Sequence, residues 1–141
     1  MDISQISTRS YLTTDYPQMK SLLEGAKLFY GAIDSEPHLT YVIEKDPESI
    51  IVALRKERII GTVSISDARI PLIFRLAVAE DERGKGLGTQ LMNEAEARLK
   101  LRGHTEIGIL VDDNDPELKE FYERQGYEQG NSYRWMSKEL E

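Results

Sequence analysis

The chain contains no cysteine, which excludes several chemistries before any pattern is considered. Disulfide bridges, thiolate zinc sites and cysteine nucleophiles all require that side chain. Long apolar runs are also missing, since no stretch approaches the roughly 20 residues needed to span a membrane. Residues 1–10 lack the basic flank and apolar core of a signal peptide. We therefore expect a cytoplasmic protein with no membrane partner.

Basic residues are in short supply as well. Lys and Arg number 18 against 25 Asp and Glu, so the formal net charge is −7. Because nucleic-acid-binding domains present a basic face, we expect no nucleic acid partner. An acidic surface would concentrate cationic amines, although the same net charge would also simply keep a small domain in solution. The two histidines, His38 and His104, are too few and too far apart to predict a metal site.

What is present fits one globular domain spanning residues 1–141. Hydrophobic residues make up 40% and charged residues 30% of the chain, a balance typical of folded proteins. A chain of 141 residues can bury a core without disulfides or metals. No internal repeat or low-complexity linker interrupts the chain, so we predict no domain boundary within it.

Apolar periodicity predicts strands and one helix in the first half of the chain. Residues 19–26 repeat apolar side chains at helical spacing behind Thr14 or Asp15, either of which could cap the helix. The aromatic-rich segment 25–41 is predicted to be irregular, with its aromatics either covering the sheet or contacting a substrate. The strands predicted here cover residues 7–11, 50–54 and 59–66, the last two as a hairpin.

The second half continues with a buried strand and two helices. Residues 70–78 alternate with period two and are largely apolar on both faces, which predicts a central strand. Apolar side chains at every fourth residue from Leu87 predict a helix that ends at Gly103. Asp115 followed by Pro116 predicts the start of a last helix. Further strands are predicted over residues 104–111, 127–128 and 133–140.

This order of elements predicts an α/β fold of the α+β type. Its central sheet is mixed but largely antiparallel, and helices flank it. Trp135 is expected to pack in the core or on a face of that sheet. His104 is expected to have a structural part at the start of its strand.

A glycine-rich loop joins the central strand to the long helix and predicts an anion site. Gly84, Gly86 and Gly88 alternate there, and backbone N–H groups can approach an anion where no side chain intervenes. The first turn of a helix adds unpaired N–H groups and a partial positive charge, and Arg83 and Lys85 add two cations. The spacing matches neither a P-loop nor a dinucleotide-binding motif, which disfavours a nucleotide-phosphate binder. The structural alternative is a plain glycine-rich turn into a helix.

These residues resemble the GNAT superfamily of N-acetyltransferases. Arg83, Gly86 and Gly88 match its R/Q-x-x-G-x-G/A signature, and residues 76–78 match its L-x-V strand end. Residues 121–127 look like its F-Y-x-x-x-G-F element, so the resemblance covers about residues 50–140. The resemblance implies a GNAT-like fold and acetyl-CoA as the cosubstrate, with no metal.

The resemblance also implies which residues hold the cofactor. Main-chain groups of Leu76, Ala77 and Val78 would pair with the pantetheine arm where their strand separates from the next one. The pyrophosphate would lie on the loop, whose residues are Arg83, Gly84, Lys85, Gly86, Leu87, Gly88 and Thr89. The family often has an asparagine that contacts the cofactor, but its position here is Asp115. Either Asn114 makes that contact instead, or Asp115 only caps the helix and the contact is absent.

For the reaction, the resemblance implies direct attack of an amine on the thioester in a ternary complex. Tyr122 occupies the position from which the family commonly protonates the leaving coenzyme A sulfur. As an alternative, Tyr122 is a core aromatic beside Phe121. The strand glutamate of some relatives has no counterpart in residues 70–78. The general base would then be ordered water or one of four acids that could equally be surface carboxylates: Asp34, Glu36, Asp112 and Asp113.

The leading hypothesis is therefore an acetyl-CoA-dependent N-acyltransferase that acetylates a primary amine of a small molecule or peptide. The alternative is a non-catalytic acyl-CoA-binding sensor or interaction module, which the missing strand carboxylate supports. Many relatives pair through their closing strands, which leaves a homodimer open.

Overall fold

The computed structural model of the chain describes residues 5–140. The chain divides between Ile109 and Leu110 into two compact units. The sheet lies in the first unit, and the second unit carries one α-helix. Within residues 5–140, no helix is both long enough and apolar enough to cross a membrane. That the whole chain acts as one domain stays a prediction.

Five strands and four α-helices make up the described part of the first unit. Strand β1 is Ile6–Ser10, and a 3₁₀ turn at Thr13–Asp15 leads from it into the first helix. The helices are α1 (Tyr16–Gly25), α2 (Gly31–Asp34), α3 (Glu36–Lys45) and α4 (Leu87–Leu101). The remaining strands are β2 (Ile50–Arg55), β3 (Arg58–Ser66), β4 (Leu72–Val78) and β5 (Gly108–Ile109).

The strands form one sheet in sequence order, from β1 to β5. The first four strands pair antiparallel, and β5 pairs with β4 in parallel after the crossover through α4. The predicted mixed, largely antiparallel sheet is therefore confirmed. The predicted hairpin is formed by β2 and β3, whose register shifts once between Ala53 and Leu54.

Helices cover both faces of this sheet. On one face, alternate residues of β2 pack with α1 and α3 in a cluster that includes Val52 and Leu23. On the other face, Gly61 of β3 lies against α4. A Cβ atom at Gly61 would come within 2.9 Å of Leu91 Cδ1 and 3.3 Å of Ala77 O. Only glycine therefore lets α4 approach the sheet this closely.

The segment predicted to be irregular, 25–41, instead contains α2 and the start of α3, so that prediction is wrong. Ser35 caps α3, because its Oγ accepts a hydrogen bond from His38 N at 3.4 Å, and Pro37 lies in the first turn. The apolar positions of α3 span little more than one turn, too few to reveal a helical period in the sequence. These positions are Leu39, Val42 and Ile43.

Strand β5 covers only part of the predicted strand 104–111. His104 N donates to Leu99 O at 3.2 Å and thereby closes the end of α4. A ring nitrogen of His104 lies 2.9 Å from Asp67 Oδ2. The N–H of His104 is thus not available to a strand ladder, and this residue has a structural part, as expected.

The second unit begins its helix where the sequence predicts. Helix α5 is Pro116–Arg124. Asp115 caps it, because Asp115 Oδ1 accepts a hydrogen bond from Leu118 N at 3.0 Å. The helix start predicted at Asp115 and Pro116 is therefore confirmed, with Asp115 as its cap.

The closing segment of the second unit departs from the prediction. Residues 125–140 contain no strand, so the predicted hairpin of 127–128 and 133–140 is wrong. Trp135 is 80% exposed, and its expected packing on the sheet is wrong as well. An isolated hairpin is marginal in water unless its apolar side chains find a surface to pack on. Here these side chains remain exposed, so the pattern alone does not produce strands.

Candidate functional site

The loop between β4 and α4 has the backbone geometry of an anion-binding turn. Gly84 and Gly86 have φ angles of 75° and 86°, in the left-handed region that favours glycine. Gly86 is the N-cap of α4, where no side chain caps the helix, and its carbonyl accepts from Gln90 N at 3.0 Å. At the helix start, the N–H groups of Leu87 and Gly88 have no acceptor within the helix. The positive end of the helix dipole is therefore offered to an anion.

Two arginines of the β2–β3 hairpin neutralise the acidic turn that precedes this loop. Arg55 donates through two nitrogens to the buried Glu82, both at 3.0 Å. Arg58 donates to Asp81 in the same two-pronged way, at 2.9 and 2.8 Å. These hydrogen bonds hold the pKa values of both carboxyl groups below their ordinary range. Because both acids are paired, they do not repel an anion bound at the loop.

Both cations of the loop remain exposed beside the helix start. Arg83 Nε donates to Val78 O at 3.0 Å, which ties the loop to the end of β4. Lys85 Nζ lies 3.8 Å from Glu82 Oε1, close to the limit for an ion pair. Because Glu82 is already held by Arg55, it compensates the charge of Lys85 only weakly. The loop therefore retains positive charge for a phosphate.

Strand β4 has an open stretch on the edge that faces β5. Strand β5 pairs only with Leu72 and Ile73 of β4. Among the described residues, no other strand continues this edge as β4 runs on to Val78. An edge of this kind presents main-chain donors and acceptors to a ligand.

Strand alternation decides which main-chain groups face this open edge. Ala79 N donates to Ile60 O of β3, at 2.8 Å. Because directions alternate along a strand, the groups of Ala77 also face β3, whereas those of Leu76 and Val78 face the open edge. Leu76 and Val78 thus present main-chain hydrogen-bonding groups at the open edge. The main-chain groups of Ala77 pair with β3 within the sheet.

A bulge lies within this open stretch of β4. The register passes from Ser64 opposite Phe74 to Thr62 opposite Ala77, so β4 has one residue more than β3 between these pairs. Arg75 in the bulge has a φ of 56°, in the left-handed region. The bulge bends β4 just beyond the residues that pair with β5 and directs Arg75 toward the helices.

A buried ion pair connects this bulge to α2. The guanidinium of Arg75 pairs with Asp34, which is only 3% exposed. Asp34 Oδ2 also accepts a hydrogen bond from Tyr30 N at 2.8 Å, and Tyr16 Oη donates to Asp34 O at 3.0 Å. The position of Arg75 is therefore fixed by α2, which lies in the segment 25–41 that was predicted to be irregular.

A pocket of about 170 Å³ lies between the bulge and helices α1 to α3. We refer to it as the α3 pocket. Apolar residues of these helices and of β2 to β4 form most of its wall. The polar and titratable side chains that line it are Asp34, His38, Ser49, Thr62, Ser64 and Arg75.

The four carboxylates predicted as general-base candidates differ in their surroundings. Asp34 is buried and paired with the arginine of the bulge, so its interpretation as a surface acid is wrong, and its charge is already compensated. Glu36, Asp112 and Asp113 are exposed. Asp113 also forms an ion pair with Lys119 at 2.9 Å.

In the second unit, Tyr122 is the most buried residue of α5. Its ring packs edge-on against Phe121 and Tyr127, with centroids 5.1 and 5.9 Å apart. Burial raises the pKa of the Tyr122 phenol above its ordinary value. Tyr122 therefore stays protonated at neutral pH, which is the form a proton donor requires.

Asn114 lies in the turn before α5. It is exposed, and its main-chain N–H donates to Asp112 Oδ1 at 2.8 Å. Since Asp115 accepts a hydrogen bond as the helix cap, the amide donor nearest the family's asparagine position is Asn114.

Sequence reasoning missed the groups that support the predicted loop. Arg55 and Arg58 lie next to the turn of the β2–β3 hairpin, and no spacing rule links them to acids more than twenty residues later. The α3 pocket was missed because it depends on how α2 and α3 fold. Within residues 5–140, no group of three His, Asp or Glu side chains could hold a metal ion.

Two known proteins with similar sequences are described as acetyltransferases. Residues 16–127 match the family described as the acetyltransferase (GNAT) family. The chain is 25% identical over 133 residues to an acetyltransferase of Sodalis glossinidius, covering 94% of each chain. It is 27% identical over 121 residues to an acetyltransferase of Yersinia enterocolitica, covering 85% of this chain and 86% of the relative.

Solved structures share the fold. A PaiA N-acetyltransferase from Thermoplasma acidophilum, solved with coenzyme A, matches with a TM-score of 0.80 at 18% identity, covering 91% of this chain and 92% of that one. A transcriptional regulator from Bacillus halodurans matches with a TM-score of 0.79 at 25% identity, covering 94% and 99% of the two chains. The fold expected from the loop motif is therefore confirmed.

Proposed function

Because the chain belongs to the acetyltransferase (GNAT) family, we propose that it transfers the acetyl group of acetyl-CoA to a primary amine. The amine would belong to a small molecule or a peptide and would attack the thioester directly in a ternary complex. We propose a cytoplasmic location, in keeping with a chain that has no cysteine.

One arrangement carries this proposal: the open edge of β4 runs directly into the glycine loop at the start of α4. An extended ligand arm can form main-chain hydrogen bonds with Leu76 and Val78, much as an added strand does. A phosphate group at the end of that arm can accept from the N–H groups that follow Gly86. Coenzyme A has this form, because its pantetheine arm ends in a pyrophosphate.

Within the loop, side chains and main chain have separate tasks. Arg83 and Lys85 would contribute positive charge to the pyrophosphate. Gly84 and Gly86 adopt left-handed φ angles and leave their N–H groups uncovered. The side chain of Leu87 is buried in the core, so this residue would contribute only its N–H group. The remaining contacts proposed for the cofactor are those of Gly88, Thr89 and Asn114. Ala77, also expected at this site, pairs with β3 through its main chain and would not contact the pantetheine arm.

Tyr122 is proposed as the proton donor to the departing sulfur. The neutral amine attacks the carbonyl carbon, the carbon–sulfur bond breaks, and the thiolate takes the phenolic proton. The amine gives up one proton, which returns the tyrosinate to its neutral form through water. The buried, protonated state of Tyr122 supports this role.

Water is the proposed proton acceptor for the amine. Asp34 is committed to its ion pair, and β4 carries no carboxylate. Glu36, Asp112 and Asp113 are exposed to solvent, and Asp113 is paired with Lys119. Deprotonation through solvent would make the rate increase with pH until the acceptor amine itself is neutral.

A homodimer is supported by the closing segment. Four large apolar side chains there are at least 80% exposed and would gain burial against a second copy: Tyr133, Trp135, Met136 and Leu140. Light scattering on the purified protein would give the mass directly.

A second candidate function is a non-catalytic acyl-CoA sensor. The similar structure from Bacillus halodurans is described as a transcriptional regulator, and the present chain lacks a carboxylate on β4. A sensor would bind acetyl-CoA tightly and show no amine-dependent release of thiol.

Calorimetric titration of the purified protein with acetyl-CoA, with ATP as the control ligand, tests the proposed function. We expect saturable binding of acetyl-CoA and none of ATP, because ATP has no pantetheine arm for the open edge. Failure of acetyl-CoA to bind would refute the proposal. Binding together with thiol release that no amine accelerates would favour the sensor instead.

A further inference from the structure

We propose that the α3 pocket receives the acceptor, and that the acceptor is a compact, largely apolar amine carrying one hydrogen-bonding oxygen. This inference rests on the proposed acetyl transfer and narrows its acceptor class. It goes beyond what the loop motif says, because that motif concerns only the coenzyme.

The position of the α3 pocket suits an acceptor. Its wall includes Phe74 and Arg75, the two residues of β4 immediately before Leu76. The main-chain groups of Leu76 face the open edge that would hold the pantetheine arm. A molecule in the α3 pocket would therefore meet β4 beside the acyl end of that arm.

The volume of the α3 pocket limits the acceptor to a small molecule or a single side chain. About 170 Å³ is well below the roughly 300 to 1,000 Å³ of pockets that enclose drug-sized ligands. A multi-ring aminoglycoside does not fit within it, and an amine with one branched side chain does.

Two buried polar atoms of this pocket lack partners. Ser49 Oγ and Arg75 Nε have no hydrogen-bond partner within the described residues, and both side chains line the α3 pocket. Ser49 is only 3% exposed. Burying such groups unpaired costs stability, and a ligand in the pocket would satisfy them. Arg75 Nε can only donate, and the matching ligand group is therefore an oxygen acceptor.

The charges around the α3 pocket argue against a polycationic acceptor. Its titratable groups are Asp34, His38 and Arg75. The negative charge of Asp34 is taken up by Arg75, and no other carboxylate lines the pocket. A polyamine would find no counter-charge there, whereas an amide, hydroxyl or carboxylate oxygen would find Arg75 Nε.

The test compares amines of known shape at saturating acetyl-CoA, with thiol release as the readout. The probes are leucinamide, 3-methylbutylamine, which lacks the amide group, and spermidine. We expect leucinamide to give the largest kcat/KM and spermidine the smallest. Acetyl-CoA binding is measured in parallel by calorimetry.

Two variants with matched controls locate the site. Ser49→Ala should raise KM for leucinamide about tenfold and leave KM for 3-methylbutylamine unchanged, because only leucinamide has the oxygen. The basicity of each amine cancels in this variant-to-wild-type ratio. Ser66→Ala, outside the pocket, should leave the KM values of both amines unchanged.

Ile33→Trp at the pocket wall should lower kcat/KM for all amines, whereas Ile70→Trp, at another exposed isoleucine, should not.

The possible results separate this inference from the proposed function. If acetyl-CoA does not bind, the acetyltransferase proposal fails and the inference falls with it. If acetyl-CoA binds and amines are turned over, but spermidine is preferred to leucinamide, the acceptor assignment alone is overturned. Binding of acetyl-CoA with no turnover of any amine would favour the sensor and overturn the acetyltransferase proposal. Equal effects of Ser49→Ala on leucinamide and 3-methylbutylamine would also overturn the acceptor assignment.

Discussion

The two faces of the sheet in the first unit are packed very differently. Toward α4 the sheet is closely packed. Leu91, Met92 and Leu99 are fully buried, and Gly61 allows the helix to approach the sheet closely. Toward α1 and α3 the same sheet leaves the α3 pocket, with a buried ion pair and the unpaired Ser49 Oγ. The closed face holds the helix that starts at the glycine loop, and the open face keeps room for a ligand. The acceptor site that we propose thus lies on the opposite side of the sheet from its most closely packed core.

Leucine truncation on each face gives the largest expected effect. Leu91→Ala should cost about 4 kcal/mol of unfolding free energy, because the closed face cannot collapse into the cavity. Leu39→Ala should cost about 2 kcal/mol, because Leu39 borders a pocket and loses fewer contacts. Urea denaturation with unchanged m-values measures both. Equal losses, or a larger loss at Leu39, would contradict the contrast between the faces.

The next largest effect is expected on acetyl-CoA binding, at the N-terminal end of α4. Gly86 and Gly103 stand at opposite ends of α4 with φ angles of 86° and 96°, and neither has a neighbour within 4 Å of a built Cβ atom. Gly86→Val should weaken acetyl-CoA binding at least about a hundredfold, or roughly 2.7 kcal/mol, because the side chain covers the phosphate site. Gly103→Val carries the same backbone strain and should bind normally.

Calorimetry on both glycine variants, with unfolding curves as a check on folding, separates these effects. Normal acetyl-CoA binding by folded Gly86→Val would remove the loop from the cofactor site. Equal loss of binding in both variants would show that strain in α4, rather than a covered anion site, is responsible.

Removing the ion pair between the β2–β3 hairpin and Glu82 should have an intermediate, pH-dependent effect on the free energy of unfolding. The pKa of Glu82 is lowered by its hydrogen bonds from Arg55, so its stabilisation is complete above the ordinary glutamate pKa and is lost as pH falls toward the lowered value. Glu82→Gln should cost about 2 kcal/mol at neutral pH. The difference from wild type should shrink below about pH 4.

Unfolding curves across this pH range test the direction as well as the size. Glu57→Gln, an exposed acid in the turn of the same hairpin, serves as the control and should show little difference at any pH. A Glu82→Gln difference that grows as pH falls would contradict the assigned direction of the pKa shift.

The smallest effect is expected at Tyr122, in the second unit. Tyr122→Phe should lower turnover about tenfold, or about 1.4 kcal/mol, because thiolate is a fair leaving group without protonation. Acetyl-CoA affinity should stay unchanged. Tyr133→Phe, at an 83% exposed tyrosine, is the control. A Tyr122→Phe enzyme with wild-type turnover across the pH range would remove Tyr122 from the mechanism.

The two faces also differ in how far the sequence predicts them. The strand 70–78, the glycine loop and the periodic helix from Leu87 were predictable, because each depends on local spacing and on backbone rules for glycine. The α3 pocket was not, because it depends on two short helices whose few apolar positions show no period. The pairing of Arg75 with Asp34 joins residues forty-one positions apart, and no local pattern reports it.

The end of the chain shows the opposite failure. An alternating pattern around Gly130 and Asn131 predicted a hairpin, yet residues 125–140 contain no strand. Strand propensity becomes structure only where a partner surface rewards burial, and Trp135 remains exposed. The local sequence pattern therefore predicted the strands of the sheet correctly but did not predict the structure of residues 125–140.

Initial rates over a grid of acetyl-CoA and leucinamide concentrations test the central claim most directly. Direct attack in a ternary complex predicts thiol release that requires both substrates, with reciprocal plots that intersect. Parallel lines would indicate an acyl-enzyme intermediate and would contradict direct transfer. Thiol release that no amine of the panel accelerates would contradict the acetyltransferase function itself.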